Sequence, residues 1–174
     1  DTFFVETSQG TQITSKAIVI AAGVGSFQPR QIRLPNAQEY EGRSLHYRVK
    51  NTADFEGKKL VILGGGDSAL DWVIELAGSA DQITLVHRRD EYRAMPDSVS
   101  KMKKLVAEGV VNEITSAKAT AIKGENGCAS SVVVESKQQG PIEIEADHLL
   151  VFFGLAPKLG PIAEWGLDIN RKTI

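Results

Sequence analysis

Leu60-Val61-Ile62-Leu63-Gly64-Gly65-Gly66-Asp67-Ser68-Ala69 is the stretch that decides the fold. Four apolar residues run straight into three glycines. An apolar pattern at helical spacing then begins at once, with Ala69, Leu70, Val73, Ile74 and Ala77 on one face. A strand that ends this way hands the chain to a helix through a tight turn. Gly64 permits the turn, Gly66 lets backbone approach a bound group, and the small Ala69 lets helix and strand pack closely. Gly65 lies between the two, inside the same turn. The helix N-terminus, with its free N–H groups and dipole, then favours an anion such as a pyrophosphate.

Outward from this turn, residues 59–63 read as a strand, 67–78 as a helix and 82–87 as a second strand. That is a βαβ unit, and its crossover is expected to be right-handed. Pro96 and Asp97 open a second helix that runs to about Glu108, with Val99, Met102, Leu105 and Val106 as its stripe. Gly109 suits the position just past the helix end. A strand over 110–115 follows, then hairpin arms over 117–123 and 130–136 around Gly124-Glu125-Asn126-Gly127. Strands over 141–146 and 148–153 come next, the latter buried and ending at Gly154. Upstream, 2–8 and 12–21 read as strands. The apolar run Ala17-Ile18-Val19-Ile20-Ala21-Ala22 is expected to be buried on both faces. Residues 23–35 read as loop, 36–58 as an irregular connector between two domains, and the tail 155–174 shows no period.

The chain has 174 residues, 42% of them hydrophobic, with a net charge of −2. That is enough for one domain and pieces of another. The charge gives no general pull towards nucleic acid or an anionic membrane. No apolar run approaches the length of a membrane span. The single cysteine, Cys128, excludes an internal disulfide and any CxxC motif, and is read as a plain strand or turn thiol. A reducing, cytoplasmic compartment is the expectation, with neither nucleic acid nor membrane as a partner. No Ser–His–acid set, clustered metal ligands or framed carboxylate pair is evident. His46 and His148 read as isolated structural residues. The expectation is no metal and no catalytic side chain, which suits chemistry carried by cofactors.

The end of the second strand bears on which nucleotide fits. An NAD site places an acid there for the ribose 2′-hydroxyl. This chain instead has His87-Arg88-Arg89, with Arg93 four residues on. Guanidinium forks suit a phosphate dianion, so the pattern points to a 2′-phosphate and to NADPH. The alternative is a solvated loop in which Asp90 and Glu91 pair with the arginines. Asp67 poses a second question: at a helix N-terminus it is favoured by the dipole, yet it would repel a pyrophosphate. It either caps the helix or faces away. Ser68 either caps the helix or contacts a phosphate. Gly154 could border the nicotinamide side of the cleft.

These residues resemble a family. Gly64-Gly65-Gly66-Asp67-Ser68-Ala69-Leu70-Asp71-Trp72 and Thr84-Leu85-Val86-His87-Arg88-Arg89-Asp90-Glu91-Tyr92-Arg93-Ala94 are similar to the NADPH domain of thioredoxin-reductase-like flavoproteins, in the pyridine nucleotide-disulfide oxidoreductase superfamily. Ala17–Gly23 with Phe27-Gln28-Pro29-Arg30 extends the match, as do Phe153–Pro157, Leu159–Ile162 and Trp165-Gly166-Leu167-Asp168. Thioredoxin reductases carry a CxxC shortly before the glycine loop. Here Leu45–Asn51 holds no cysteine, which favours the ferredoxin–NADP reductase branch.

The resemblance implies an α/β fold: a Rossmann-like parallel sheet with a β-meander crossover, flanked by pieces of a second, FAD-binding domain. The implied division is 1–51 from the FAD domain and connector, 52–155 as the NADPH domain, and 156–174 as the return segment. It implies hydride transfer from NADPH to FAD and onward electron transfer to ferredoxin or flavodoxin, in a homodimeric parent. Gly64, Gly66, Ser68 and Ala69 would lie at the pyrophosphate, and His87, Arg88, Arg89 and Arg93 around the 2′-phosphate. Gly23 would lie near FAD. The family's N-terminal FAD glycine loop and later Gly-Asp segment do not occur in this sequence. FAD is therefore expected to be held by the parent and not by this fragment alone, which would be inactive by itself. The alternatives are a flavin reductase of thioredoxin-reductase type with another acceptor, and a non-catalytic NADPH-binding module.

Overall fold

A computed structural model describes residues 2–21, 28–156 and 159–170. The chain divides into two compact units, one of residues 1–27 and 157–174, the other of residues 28–156. In the first unit, β1 (Phe3–Glu6) and β2 (Gln12–Ser15) pair antiparallel, with Phe3 opposite Ser15. The apolar run that follows β2 is not a strand where it is described, and Val19 is 89% exposed. An unbroken apolar run records a capacity for burial, but the covering elements must come from elsewhere in the fold.

The larger unit opens with β3 (Gln28–Pro29), α1 (Ala37–Tyr40) and β4 (Leu45–His46), then a 3-10 turn over Thr52–Phe55. The βαβ unit is β5 (Lys59–Gly64), α2 (Asp67–Leu76) and β6 (Gln82–Val86). There follow α3 (Pro96–Ala107) and β7 (Val111–Ile114). Gly109, at φ 74°, supplies the left-handed step that ends α3. A meander comprises β8 (Ala117–Glu125), β9 (Cys128–Ser136) and β10 (Gly140–Glu145). The unit closes with β11 (His148–Phe152) and β12 (Leu155–Ala156).

The central sheet is parallel throughout, in the order β4-β11-β5-β6-β7. The meander stands in the place of a helical crossover between β7 and β11. Alternation along β5 sets the two layers. Leu60 and Ile62 pack with Leu70, Val73 and Leu76 of α2 and with Met102 of α3. Val61 and Leu63 pack with Ile122, Val132 and Val134 of the meander. Burial on both faces accounts for the unbroken apolar run of β5. This is the expected α/β, Rossmann-like architecture with a β-meander.

The segment 36–58 is more ordered than its sequence suggests. Ser44 Oγ donates to Gly127 O and accepts from Ala129 N–H, and Tyr40 Oη donates to Gly124 O. These bonds fasten α1 to the tip of the β8–β9 hairpin, whose turn is Asn126-Gly127, both at positive φ. The loop read over 23–35 also contains β3, which pairs with β12 and brings the start and end of the unit together.

Candidate nucleotide site

The sheet order places a reversal between β5 and β11: the chain leaves β5 in one direction and returns on its other side. Open α/β sheets bind ligands at such a point, beyond the carboxyl ends of the strands. Gly64 ends β5 and pairs with Phe152 of β11. Gly154, at φ 83°, follows on one side, and His87 follows β6 on the other.

The three glycines of the loop play different parts. A Cβ on Gly64 would lie 2.6 Å from Ala69 Cβ and 2.8 Å from Phe152 O, so the strand–helix packing requires a glycine there. A Cβ on Gly65 would intrude on the His87 ring. Around Gly66 there is open space, and no side chain caps α2. The first-turn N–H groups that α2 leaves unpaired are therefore not taken by a capping side chain.

Arg88, Arg89 and Arg93 are all exposed, and none forms an ion pair among the described residues. The acids that the alternative reading pairs with them do not. Asp90 Oδ1 instead accepts the Ser116 hydroxyl at 2.6 Å. Arg93 N–H donates to Gly65 O at 2.8 Å, which joins the arginine segment to the glycine loop.

His87 does not join the guanidinium cluster at the surface. It is buried beneath Gly65, its ring stacks on Tyr92 with centroids 5.1 Å apart, and Nε2 lies 3.1 Å from Glu91 O. Burial holds its pKa below the ordinary histidine value; the Arg88 and Arg89 charges add to this, and the Glu91 carbonyl opposes it. Tyr92 Oη donates to Glu113, whose carboxylate takes Lys103 Nζ at 2.7 Å. Burial, followed by the Glu113 bond, raises the Tyr92 pKa and keeps the phenol protonated. Sequence reasoning missed Tyr92, Glu113 and Lys103 because their grouping depends on β7 and α3 lying beside β6.

The structure answers the question posed by Asp67. Its Oδ1 accepts Met95 N–H at 2.7 Å, so the carboxylate engages the start of α3 and does not cap its own helix. The Ser68 hydroxyl is exposed and makes no hydrogen bond among the described residues. Gly23 and Pro157 lie outside the described residues.

His46 and His148 are not isolated. Their Nε2 and Nδ1 atoms are 3.1 Å apart, both rings stand edge-on to Phe55, and they meet because β4 and β11 are parallel neighbours. Burial lowers both pKa values. No group of three metal-ligating side chains occurs among the described residues, and no described helix is long and apolar enough to cross a membrane.

The family model for pyridine nucleotide-disulphide oxidoreductase matches residues 1–174. The chain belongs to that family. Among its relatives, ferredoxin–NADP reductase 2 of Cupriavidus taiwanensis is 48% identical over 99% of this chain and 46% of that protein. The ferredoxin–NADP reductase of Thermus thermophilus is 42% identical over the whole chain and 52% of that protein. The crystal structure of Lactococcus lactis thioredoxin reductase superposes with a TM-score of 0.82 at 26% identity, covering 97% of this chain and 54% of that one. The chain thus spans about half the length of the curated relatives it matches.

Proposed function

We propose that this chain is the NADPH-holding part of a flavin-dependent ferredoxin–NADP reductase. The observation that carries the reading is three exposed arginines, unpaired among the described residues, on a segment bonded to an open glycine loop. The Gly66 cradle and the first turn of α2 would take the pyrophosphate, with Gly64, Gly65, Asp67, Ser68 and Ala69 shaping the turn. Arg88, Arg89 and Arg93 would take the 2′-phosphate, and His87 would support them from below. Gly154 would border the nicotinamide.

When bound, NADPH and FAD supply the hydride donor and its acceptor. The chain's residues bind and orient the dinucleotide. We assign 52–155 to the NADPH domain, 1–51 to a piece of an FAD domain and the connector, and 156–174 to the return segment; the connector residues from 28 onward belong to the same compact unit as the NADPH domain. Exposed Phe3, Phe4 and Val19 suit segments that pack against further chain. The parent is then a cytoplasmic homodimer that passes electrons to ferredoxin or flavodoxin.

The ferredoxin reading over disulfide reduction rests on the reductases at 42–48% identity and on Cys128 as the chain's single cysteine, exposed and unpaired. The test is NADPH oxidation by the full-length protein with ferredoxin, flavodoxin or thioredoxin as acceptor. Rapid turnover with ferredoxin or flavodoxin is expected. Turnover with thioredoxin alone would overturn the assignment.

A further inference from the structure

An acid at the mouth of an anion site calls for an explanation. Asp67 is the first residue of α2, one position after the open Gly66 cradle. In water a carboxylate there would weaken the attraction of a pyrophosphate. Its geometry shows what else it does. Oδ1 accepts the N–H of Met95, 28 residues away, at 2.7 Å. Met95 is the residue at which the arginine segment ends and α3 begins. One turn further along both helices, Ser98 Oγ donates to Asp71 Oδ1 at 3.2 Å.

The segment 88–95 is therefore tied at several points. Its start is fixed by His87, whose N–H donates to Ile114 O and whose O accepts Ala117 N–H. Its middle is fixed by Arg93 N–H on Gly65 O and by Tyr92 clamped between His87 and Glu113. Asp67 fixes its end. It is the one charged side chain bonded from the glycine loop to the arginine segment among the described residues. Three exposed guanidiniums lie within six residues, and nothing among the described residues pairs with them. Such a segment keeps its shape only if its backbone is anchored, and preorganisation is what turns guanidinium charge into binding.

We infer that Asp67 is a positioning residue for nucleotide choice: through Met95 it holds the arginine segment ready for a 2′-phosphate. This rests on the NADPH-site reading above. The charge it places near the pyrophosphate is offset by the three cations whose segment it anchors.

The test compares three variants of the full-length protein, titrated with NADPH and with NADH. Asp67→Ala removes the acceptor, Asp67→Asn keeps an oxygen acceptor without the charge, and Met95→Pro removes the donor. Met95 has φ −57° and ψ 141°, which a proline ring accepts. Asp67→Ala and Met95→Pro are each expected to cut the preference for NADPH over NADH about tenfold. Asp67→Asn should stay close to wild type. In the nucleotide-free protein, the Met95 amide should exchange its hydrogen about tenfold faster in Asp67→Ala. Equal weakening of both dinucleotides in Asp67→Ala would overturn the inference. So would loss in Asp67→Asn as large as in Asp67→Ala, or full NADPH preference in Met95→Pro. A wild-type protein without NADPH preference would overturn the nucleotide-site reading itself. An NADPH preference that survives in Asp67→Ala would overturn only the role of Asp67.

Discussion

Two positively charged regions of this molecule are built to opposite plans. On the meander and beside it, three lysines each find an acid: Lys123 with Glu143, Lys118 with Glu135, Lys59 with Glu145. At the carboxyl end of β6 the cations are arginines, and among the described residues they find none. The acids beside them, Asp90 and Glu91, have other roles or none: Asp90 accepts Ser116, and Glu91 offers its carbonyl to His87. Paired lysines on a sheet surface contribute little stability and satisfy themselves. Unpaired guanidiniums on an anchored segment keep their hydrogen-bond donors available to an anion. On the proposed reading, the first plan serves the fold and the second a ligand.

The largest test of this contrast is the floor beneath the arginines. Gly65→Ala should push a methyl into the His87 ring, disturbing glycine loop and arginine segment together. The expected cost is ~1–3 kcal/mol of stability, from small-to-large strain, together with loss of NADPH binding. Gly65→Ala with His87→Ala should recover stability, which thermal melts would show. Gly66→Ala meets open space at an ordinary φ of −105°, so it should melt like wild type while NADPH affinity falls. A stability loss beyond the ~1 kcal/mol that alanine costs at a helix N-cap would mean that the space is filled by protein and not by a ligand.

Single arginines come next. Arg88→Ala, Arg89→Ala and Arg93→Ala should each weaken NADPH by ~1.5–3 kcal/mol, the worth of a hydrogen bond to a charged group. NADH affinity should be unchanged, as measured by calorimetry. Lys118→Ala and Lys123→Ala should leave both affinities alone and shift stability by less than ~1 kcal/mol. A lysine variant that matched an arginine variant would erase the contrast.

The smallest effect is acid sensitivity. His46, His148 and His87 all sit below the ordinary histidine value, chiefly through burial. The unfolded chain then binds protons that the native state refuses. Their contribution is fully present above about pH 6.5 and is lost as pH falls through the lowered native values. Melting temperature should drop between pH 7 and pH 5. His148→Gln should flatten that drop without changing NADPH preference.

Much of this was legible in the sequence, for a local reason. The glycine turn, the α2 stripe and the spacing to Arg88 and Arg89 are all encoded within about 30 contiguous residues, as βαβ units are. The order of the strands after β7 followed from turns and alternation. What stayed hidden depends on contacts far apart in the chain. His46 and His148 meet across 102 positions because β4 joins the sheet as an edge of only two residues, too short to show a period. Residues 36–44 look irregular because α1 is a single turn, too short to show a period, and the side chains of Tyr40 and Ser44 bond to the tip of the β8–β9 hairpin. In the site, residue types and spacing pointed to the guanidiniums, but not to which way His87 and Asp67 turn. Both turn towards protein: His87 beneath Gly65, Asp67 onto Met95.

The central claim is that the end of β6 reads a 2′-phosphate. Isothermal titration of the protein with NADPH and NADH at one low salt concentration tests it most directly. The account predicts clearly tighter binding of NADPH, with the difference shrinking as salt screens the exposed arginines. Equal affinity for the two dinucleotides would contradict it.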